Sequence, residues 1–346
     1  MTIPHVSAVL SRRAWLAGAA ALAGLPLLAA LPGEVSAQGG GAGDPALRLR
    51  IGTLKFGTLN WLLETMRAEG LDRREGLSVE SVDFAGGQAT TVALQAGDVD
   101  LIVNDWLWAL RRTQDGERMR FAPFSNALGA VMVAADGPVK DLADLKGRKI
   151  GVAGGALDKS WLLLRAYARA RLGVDLATAA EPVFGAAPLV SEQLALGRVD
   201  AVLTFWPYAA RLDARGFRRL LDVKDIIKGL GIDPAPPLVG FVWRNAVMAE
   251  RGAAIAGFLR AAAAANRVLA TSDAAWDRVR PLMQAADHAE FARLRDYYRA
   301  GIPGSFGEAE RVSCARLYQV LAETGGEELV GPNPGFDRAL FGPVGE

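Results

Sequence analysis

Leu94-Gln95-Ala96-Gly97-Asp98-Val99-Asp100-Leu101-Ile102-Val103 is matched, one hundred residues further on, by Leu194-Ala195-Leu196-Gly197-Arg198-Val199-Asp200-Ala201-Val202-Leu203. In each copy an apolar helical run stops at a glycine, which takes a left-handed helix cap without steric cost. A short turn then leads into branched apolar residues of buried-strand length. A helix feeding directly into a buried strand is half of a crossover unit, so two copies point to two similarly built α/β lobes. Chance recurrence of a common helix-to-strand turn is the alternative.

Around the first copy, strand-like and helix-like runs alternate as parallel sheets with crossover helices require. The pattern predicts strands over 47–52, 77–84 and 100–103 and helices over 59–68 and 86–95. Between the copies, 139–152 reads as a short helical turn, a break at Gly147 and a buried strand. After Asp233-Pro234-Ala235-Pro236-Pro237, the apolar run 238–243 reads as the chain crossing back into the first lobe. The remainder is predicted helical over 254–270, 274–283, 289–299 and 308–322.

Residues 1–37 carry the parts of an export signal: Ser11-Arg12-Arg13-Ala14-Trp15-Leu16, an apolar run over 14–31 and a small-residue end at Val35-Ser36-Ala37. Paired arginines before bulky apolar residues resemble a twin-arginine signal. A permanent anchor is the alternative, since the run approaches the roughly 20 residues of a bilayer span. Its Ala and Gly content and Pro26 argue for cleavage, followed by a flexible linker over 38–46. No cysteine lies near the cleavage site, which excludes lipid attachment there.

Loss of Arg12, Arg13 and Glu34 with this leader brings the 39 basic and 38 acidic residues to parity. A balanced surface argues against nucleic acid as partner. Beyond the leader the chain holds one histidine, His288, and one cysteine, Cys314, both in the helical tail. A Cys-His or Ser-His-Asp mechanism lacks its parts near the strand ends, as does a zinc or copper site. No catalytic residue, metal ligand or cofactor is therefore assigned. A hard cation held by Asp105 and Asp158, an enzyme on the same fold and a receptor for a membrane sensor remain as alternatives.

Asp144-Leu145-Lys146-Gly147-Arg148-Lys149-Ile150-Gly151-Val152, the two Gly-x-Val-Asp turns and Ile51-Gly52-Thr53-Leu54-Lys55-Phe56-Gly57-Thr58 carry a family resemblance. The chain resembles the type II periplasmic solute-binding proteins of ABC importers, more narrowly the nitrate, taurine, aliphatic-sulfonate and thiamine-precursor group. The resemblance is close over 48–245 and looser in the tail. It implies an α/β fold with two lobes, a hinge and an interlobe ligand cleft. Lobe 1 would comprise 45–130 plus 236–346 and lobe 2 would comprise 131–235. It further implies a soluble periplasmic protein that binds a small molecule and meets the membrane only through a permease, whose ATPase partner consumes the ATP.

Ligands of open parallel sheets collect at the carboxyl ends of the strands, which selects candidates without reference to the family. After the first three strands these are Lys55, Phe56 and Thr58, then Gln88 behind Gly86-Gly87, then Asn104, Asp105 and Trp106. The second lobe supplies Gly155, Asp158 and Lys159 from a glycine-bearing turn, and Thr204, Phe205 and Trp206 after the second repeat. Trp106 and Trp206 occupy equivalent positions of the two copies and are expected to wall the cleft, with core packing as the alternative. Lys55 is a candidate anion partner, while Asp105 and Asp158 suit an amino group or an ion pair with Lys55 or Lys159. No arginine cluster marks a fully anionic site, and a neutral heterocycle would suit the aromatic residues equally well.

Overall fold

The computed structural model describes residues 47–342; the expected leader 1–37 and linker 38–46 lie outside the described residues. The chain opens with β1 (Arg48–Leu54), α1 (Leu59–Ala68), α2 (Leu71–Arg74), β2 (Ser78–Phe84), α3 (Gly87–Ala96), β3 (Leu101–Asp105), α4 (Trp106–Gln114), β4 (Met119–Ser125) and β5 (Gly129–Val133). It continues through β6 (Lys149–Ala153), α5 (Lys159–Leu172), α6 (Leu176–Ala179), β7 (Glu181–Gly185), α7 (Ala187–Ala195), β8 (Ala201–Phe205), α8 (Trp206–Ala214), β9 (Arg218–Asp222), α9 (Val223–Gly229) and β10 (Val239–Arg244). It closes with α10 (Val247–Thr271), α11 (Asp273–Met283), α12 (His288–Ala300), α13 (Glu308–Val330) and a 3-10 turn over Arg338–Phe341.

The strands form two five-stranded sheets, ordered β2-β1-β3-β10-β4 and β7-β6-β8-β5-β9. In each sheet three strands run parallel and a fourth, β10 or β5, enters antiparallel beside the repeat strand. The fold is therefore mixed α/β with two equivalent halves.

The repeated motif explains that equivalence. Gly97 and Gly197 take positive φ, +80° and +65°; the first caps α3 and the second follows Leu196, the cap of α7. Three residues on, Asp100 and Asp200 each clamp a neighbouring strand by the same pair of bonds. Each backbone N–H donates to the carbonyl of Arg50 or Lys149, and each carboxylate accepts the N–H of that same residue. The Asp is thus a register pin, which its place in the sequence pattern did not reveal.

Four strands lie outside the runs predicted as strands. Three of them, β4, β7 and β9, are sheet edges. Edge strands have one free side and so tolerate Pro123, Pro182 and the charged Arg218-Arg219, which mask a strand pattern. The fourth, β5, is fully buried and begins at Gly129, slightly before the expected start of the second lobe.

The chain passes between the sheets at 126–128 and 230–238. The last residue of each passage caps the repeat helix beside it: Leu238 O accepts the N–H of Trp106, and Leu128 O accepts that of Trp206. The C-terminal helices bind these halves together. From α12, Tyr297 donates to Asp213 of α8 at 2.9 Å, while Tyr298 donates to Asn266 of α10 at 3.0 Å. Helix α13 packs on both α4 and α5.

By length and composition α10 is apolar enough to cross a membrane. Its Ile255, Phe258 and Leu269 instead join Trp243 and Trp276 in a buried core, as expected of a helix buried along one face.

Candidate functional site

The two sheets meet at their strand ends through one ion pair. Lys159, the first residue of α5, donates from Nζ to Asp105 Oδ2 at 2.8 Å, joining the carboxyl end of β3 to the turn after β6. A carboxylate caps the helix on each side of the pair. Asp105 caps α4 by accepting the Trp108 N–H at 2.9 Å, and Asp158 caps α5 by accepting the N–H groups of Ser160 and Trp161 at 2.9 and 3.2 Å. Gly154, at φ +97°, turns the chain between β6 and this cap. Burial disfavours charge on Lys159, yet the attraction and hydrogen bond of Asp105, with a further contribution from Asp158, raise its pKa overall.

Large apolar side chains also stand exposed toward carboxyl ends of strands in both sheets: Phe56 after β1 (66% exposed), Phe184 in β7 (41%) and Phe205 ending β8 (39%). Asn60 holds the Phe56 turn by donating to the carbonyls of Leu54 and Lys55 at 2.9 and 3.3 Å. Lys55 Nζ lies 5.5 Å from the centre of the Phe56 ring. The Phe184 ring meets Trp161 edge-on at 6.1 Å. Phe184 was missed because its strand, which contains Pro182, was not recognised; the strand-end rule selects it once β7 is known.

Other predicted contacts go elsewhere. Trp106 is fully buried, its ring edge-on to Phe336 and Phe341 and its Nε1 donating to Pro237 O at 2.9 Å. Trp206 is 8% exposed and lies edge-on to Trp61 at 6.0 Å and to Tyr298 at 6.2 Å. Both rings are therefore buried, the core-packing alternative: as the first residue of its helix, each meets an aromatic cluster. Thr204 is buried and pairs with Ser191 of α7 at 3.1 Å, so its hydroxyl is also committed. Asn104 is half-buried and accepts the Asp105 N–H. Thr58 is half-buried before α1, whereas Gln88 and Gly155 are exposed.

The Asp158 carboxyl is pushed up, to about 6, by burial that outweighs its N–H bonds and Lys159. Between about pH 4 and pH 6 the native state then holds a proton that the unfolded chain has lost, so this residue's stabilising share falls as pH rises through that window. Asn caps helices as well as Asp. Asp158→Asn is therefore expected to abolish this slope and to gain on the order of 2 kcal/mol at pH 7. Urea unfolding of both proteins from pH 4.5 to 7.5 checks it, and parallel curves would refute the burial argument.

Among the described residues no three His, Cys, Asp or Glu side chains converge as metal ligands. Cys314 is buried, and burial pushes its thiol pKa well above the usual range. His288 is exposed at the start of α12, beside Phe291. A cavity of about 270 Å³ lies at the two passages between sheets, lined by Asn126, Lys224, Lys228, Asp233 and Pro237 among others. None of the strand-end candidates lines it.

A family model described as NMT1/THI5 like matches residues 67–270. A search of curated proteins finds no match. The periplasmic aliphatic sulphonate binding protein SsuA from Escherichia coli is similar in structure, with a TM-score of 0.69 at 20% identity over 86% of this chain and 92% of that one. The alkanesulfonate-binding protein SsuA from Xanthomonas axonopodis pv. citri, bound to MOPS, gives 0.60 at 20% identity over 83% and 97%. The desulfurization enzyme DSZB gives 0.58 at 18% identity over 86% and 96%, so the architecture serves an enzyme as well as binding proteins. With the two-sheet α/β fold in place and a family match across more than half of its length, the chain belongs to the NMT1/THI5-like family.

Proposed function

We propose that this protein is the solute-binding component of an importer, working in the periplasm. It captures a small organic molecule between its two halves and presents the filled form to a membrane permease. The observation that carries this reading is the set of exposed phenyl rings, Phe56, Phe184 and Phe205, at strand ends of the two sheets that the Asp105–Lys159 pair joins. Exposed aromatic side chains beside a few placed polar groups are the composition of a small-molecule site. Binding alone meets the task, with no chemical step and no bound nucleotide.

Lobes built around the two sheets, about 45–130 plus 236–346 against 131–235, would move about the passages at 126–128 and 230–238. Sheet membership of the strands supports this division. Helices α12 and α13 touch both halves and would limit the opening. Contact residues in the proposed cleft are Lys55, Phe56, Thr58, Gln88, Asn104, Asp105, Gly155, Asp158, Lys159 and Phe205 from the sequence reading, with Phe184 added.

A thermal-shift screen against taurine, alkanesulfonates, nitrate, pyrimidines, flavins and dicarboxylates tests the reading. A ligand at one hundred times its Kd stabilises by about 2.7 kcal/mol, a rise of several degrees in Tm. The rise is expected to shrink in Phe205→Ala, whose exposed ring contributes little to stability. A stabilising ligand indifferent to both Phe205→Ala and Phe56→Ala would place binding outside this cleft.

A further inference from the structure

Resting on the two-lobed solute-binding reading, we infer that α8 clasps the two halves shut without ligand, so that solute enters a cleft already closed instead of drawing it closed. Helix α8 follows β8 directly and belongs by connection to the second sheet. It is nevertheless buried along two faces. Ala209 and Leu212 lie in the core of the second half, with Ala130, Ala153 and Val202. Trp206 and Ala210, four residues apart and so on one face, join the core of the first half instead. Their companions there include Trp61 of α1, Phe258 of α10, Trp276 of α11 and Tyr298 of α12.

Polar contacts run along the same seam. Arg211 donates to the carbonyls of Met283 and Gln284 at 3.0 and 3.2 Å and pairs with the buried Glu290. These carbonyls lie at the end of α11, where Gln284 takes a φ of +51° and the helix has no further N–H groups to offer them. Asp213 accepts the Tyr297 hydroxyl at 2.9 Å, and Arg219 of β9 lies over the Tyr297 ring at 4.3 Å. Leu317 and Leu321 of α13 add a second shared core, with Trp106 of one half and Trp161 of the other. Domains move freely when the surface between them is small and polar; a large apolar one holds them together. Parting this seam would put the Trp206 and Tyr298 rings in water and leave Glu290 without its guanidinium. The closed arrangement is therefore the populated one before solute arrives.

Spin labels on Val92→Cys of α3 and Leu189→Cys of α7, both exposed and one in each half, report the separation by double electron–electron resonance in the dialysed full chain. Cys314 is buried and takes no label. One narrow distance, that of the structure, is expected without added solute. Arg211→Gln with Glu290→Gln removes both charges of the buried pair together, and Tyr297→Phe removes the bond to Asp213. Combined, they are expected to raise the share of longer distances about a hundredfold, as for two sets of hydrogen bonds to charged groups. A cooperative urea transition shows that the combined variant is folded. Long or broad distances in the parent protein, or an unchanged narrow distance in the folded variant, overturn the clasp. Shortening of the parent distance by a solute keeps the solute-binding reading and overturns the clasp. The expected distances in a protein that no solute stabilises support the clasp and remove that reading.

Discussion

Asp100→Ala is expected to lower the unfolding free energy by about 3–5 kcal/mol, whereas Asp200→Ala, at the equivalent position of the second repeat, costs about 1 kcal/mol. The carboxylate of Asp100 is buried and accepts the Arg50 N–H at 2.8 Å, two guanidinium bonds from Arg50 and one from Arg251 at 2.8 Å. Removing it takes the counter-charge from two part-buried guanidinium groups, which keep only the Gly97 and Arg48 carbonyls, and leaves a backbone donor without a partner. Asp200 holds the Lys149 N–H at 2.9 Å but is half-exposed, and Arg148 approaches it only to 3.7 Å. Water can replace it. Urea unfolding of the two variants measures the difference; equal costs would mean that the clamp, rather than its burial with two arginines, sets the energy.

Trp206→Ala is expected to cost about 3–5 kcal/mol, the usual range for emptying a large aromatic site in a core. Its ring lies edge-on to Trp61 and Tyr298, which in turn touch Trp276 at 6.0 and 5.3 Å. Since Trp61 belongs to α1 and Trp206 to α8, this cluster also ties the two halves together. Phe205→Ala, one residue earlier, removes a ring that is largely in solvent and is expected to cost less than about 1 kcal/mol. Denaturant unfolding of the pair separates the two neighbours. A Trp206→Ala protein of nearly unchanged stability that no longer responds to ligand would return the indole to the cleft.

These two neighbours mark where sequence reading stops. Equivalence of Trp106 and Trp206 was plain from the repeat, and both do occupy the first position of their helices. Which way an indole points from that position depends on what lies beneath it. Here the partners are Phe336 and Phe341 for one ring, and Trp61 and Tyr298 for the other. Each set is brought in by distant segments that local spacing does not encode. Phe184 failed to register for the opposite reason: its strand is an edge strand interrupted by Pro182, with too little alternation to be read as a strand.

The α/β class, the repeat and the strand ends at which a ligand would gather are all legible in the chain's local pattern. These follow from apolar periodicity and from glycines whose positive φ ends a helix, both local properties of the chain. How those ends are used depends on folding. Asp105 and Lys159 are far apart in the chain yet bonded at 2.8 Å, and both helix caps are filled by carboxylates. The phenyl rings are left in solvent while the indoles are not. Pairing, burial and side-chain direction depend on contacts between segments remote in sequence, and those contacts form only when the distant helices and the C-terminal segment pack on the sheets.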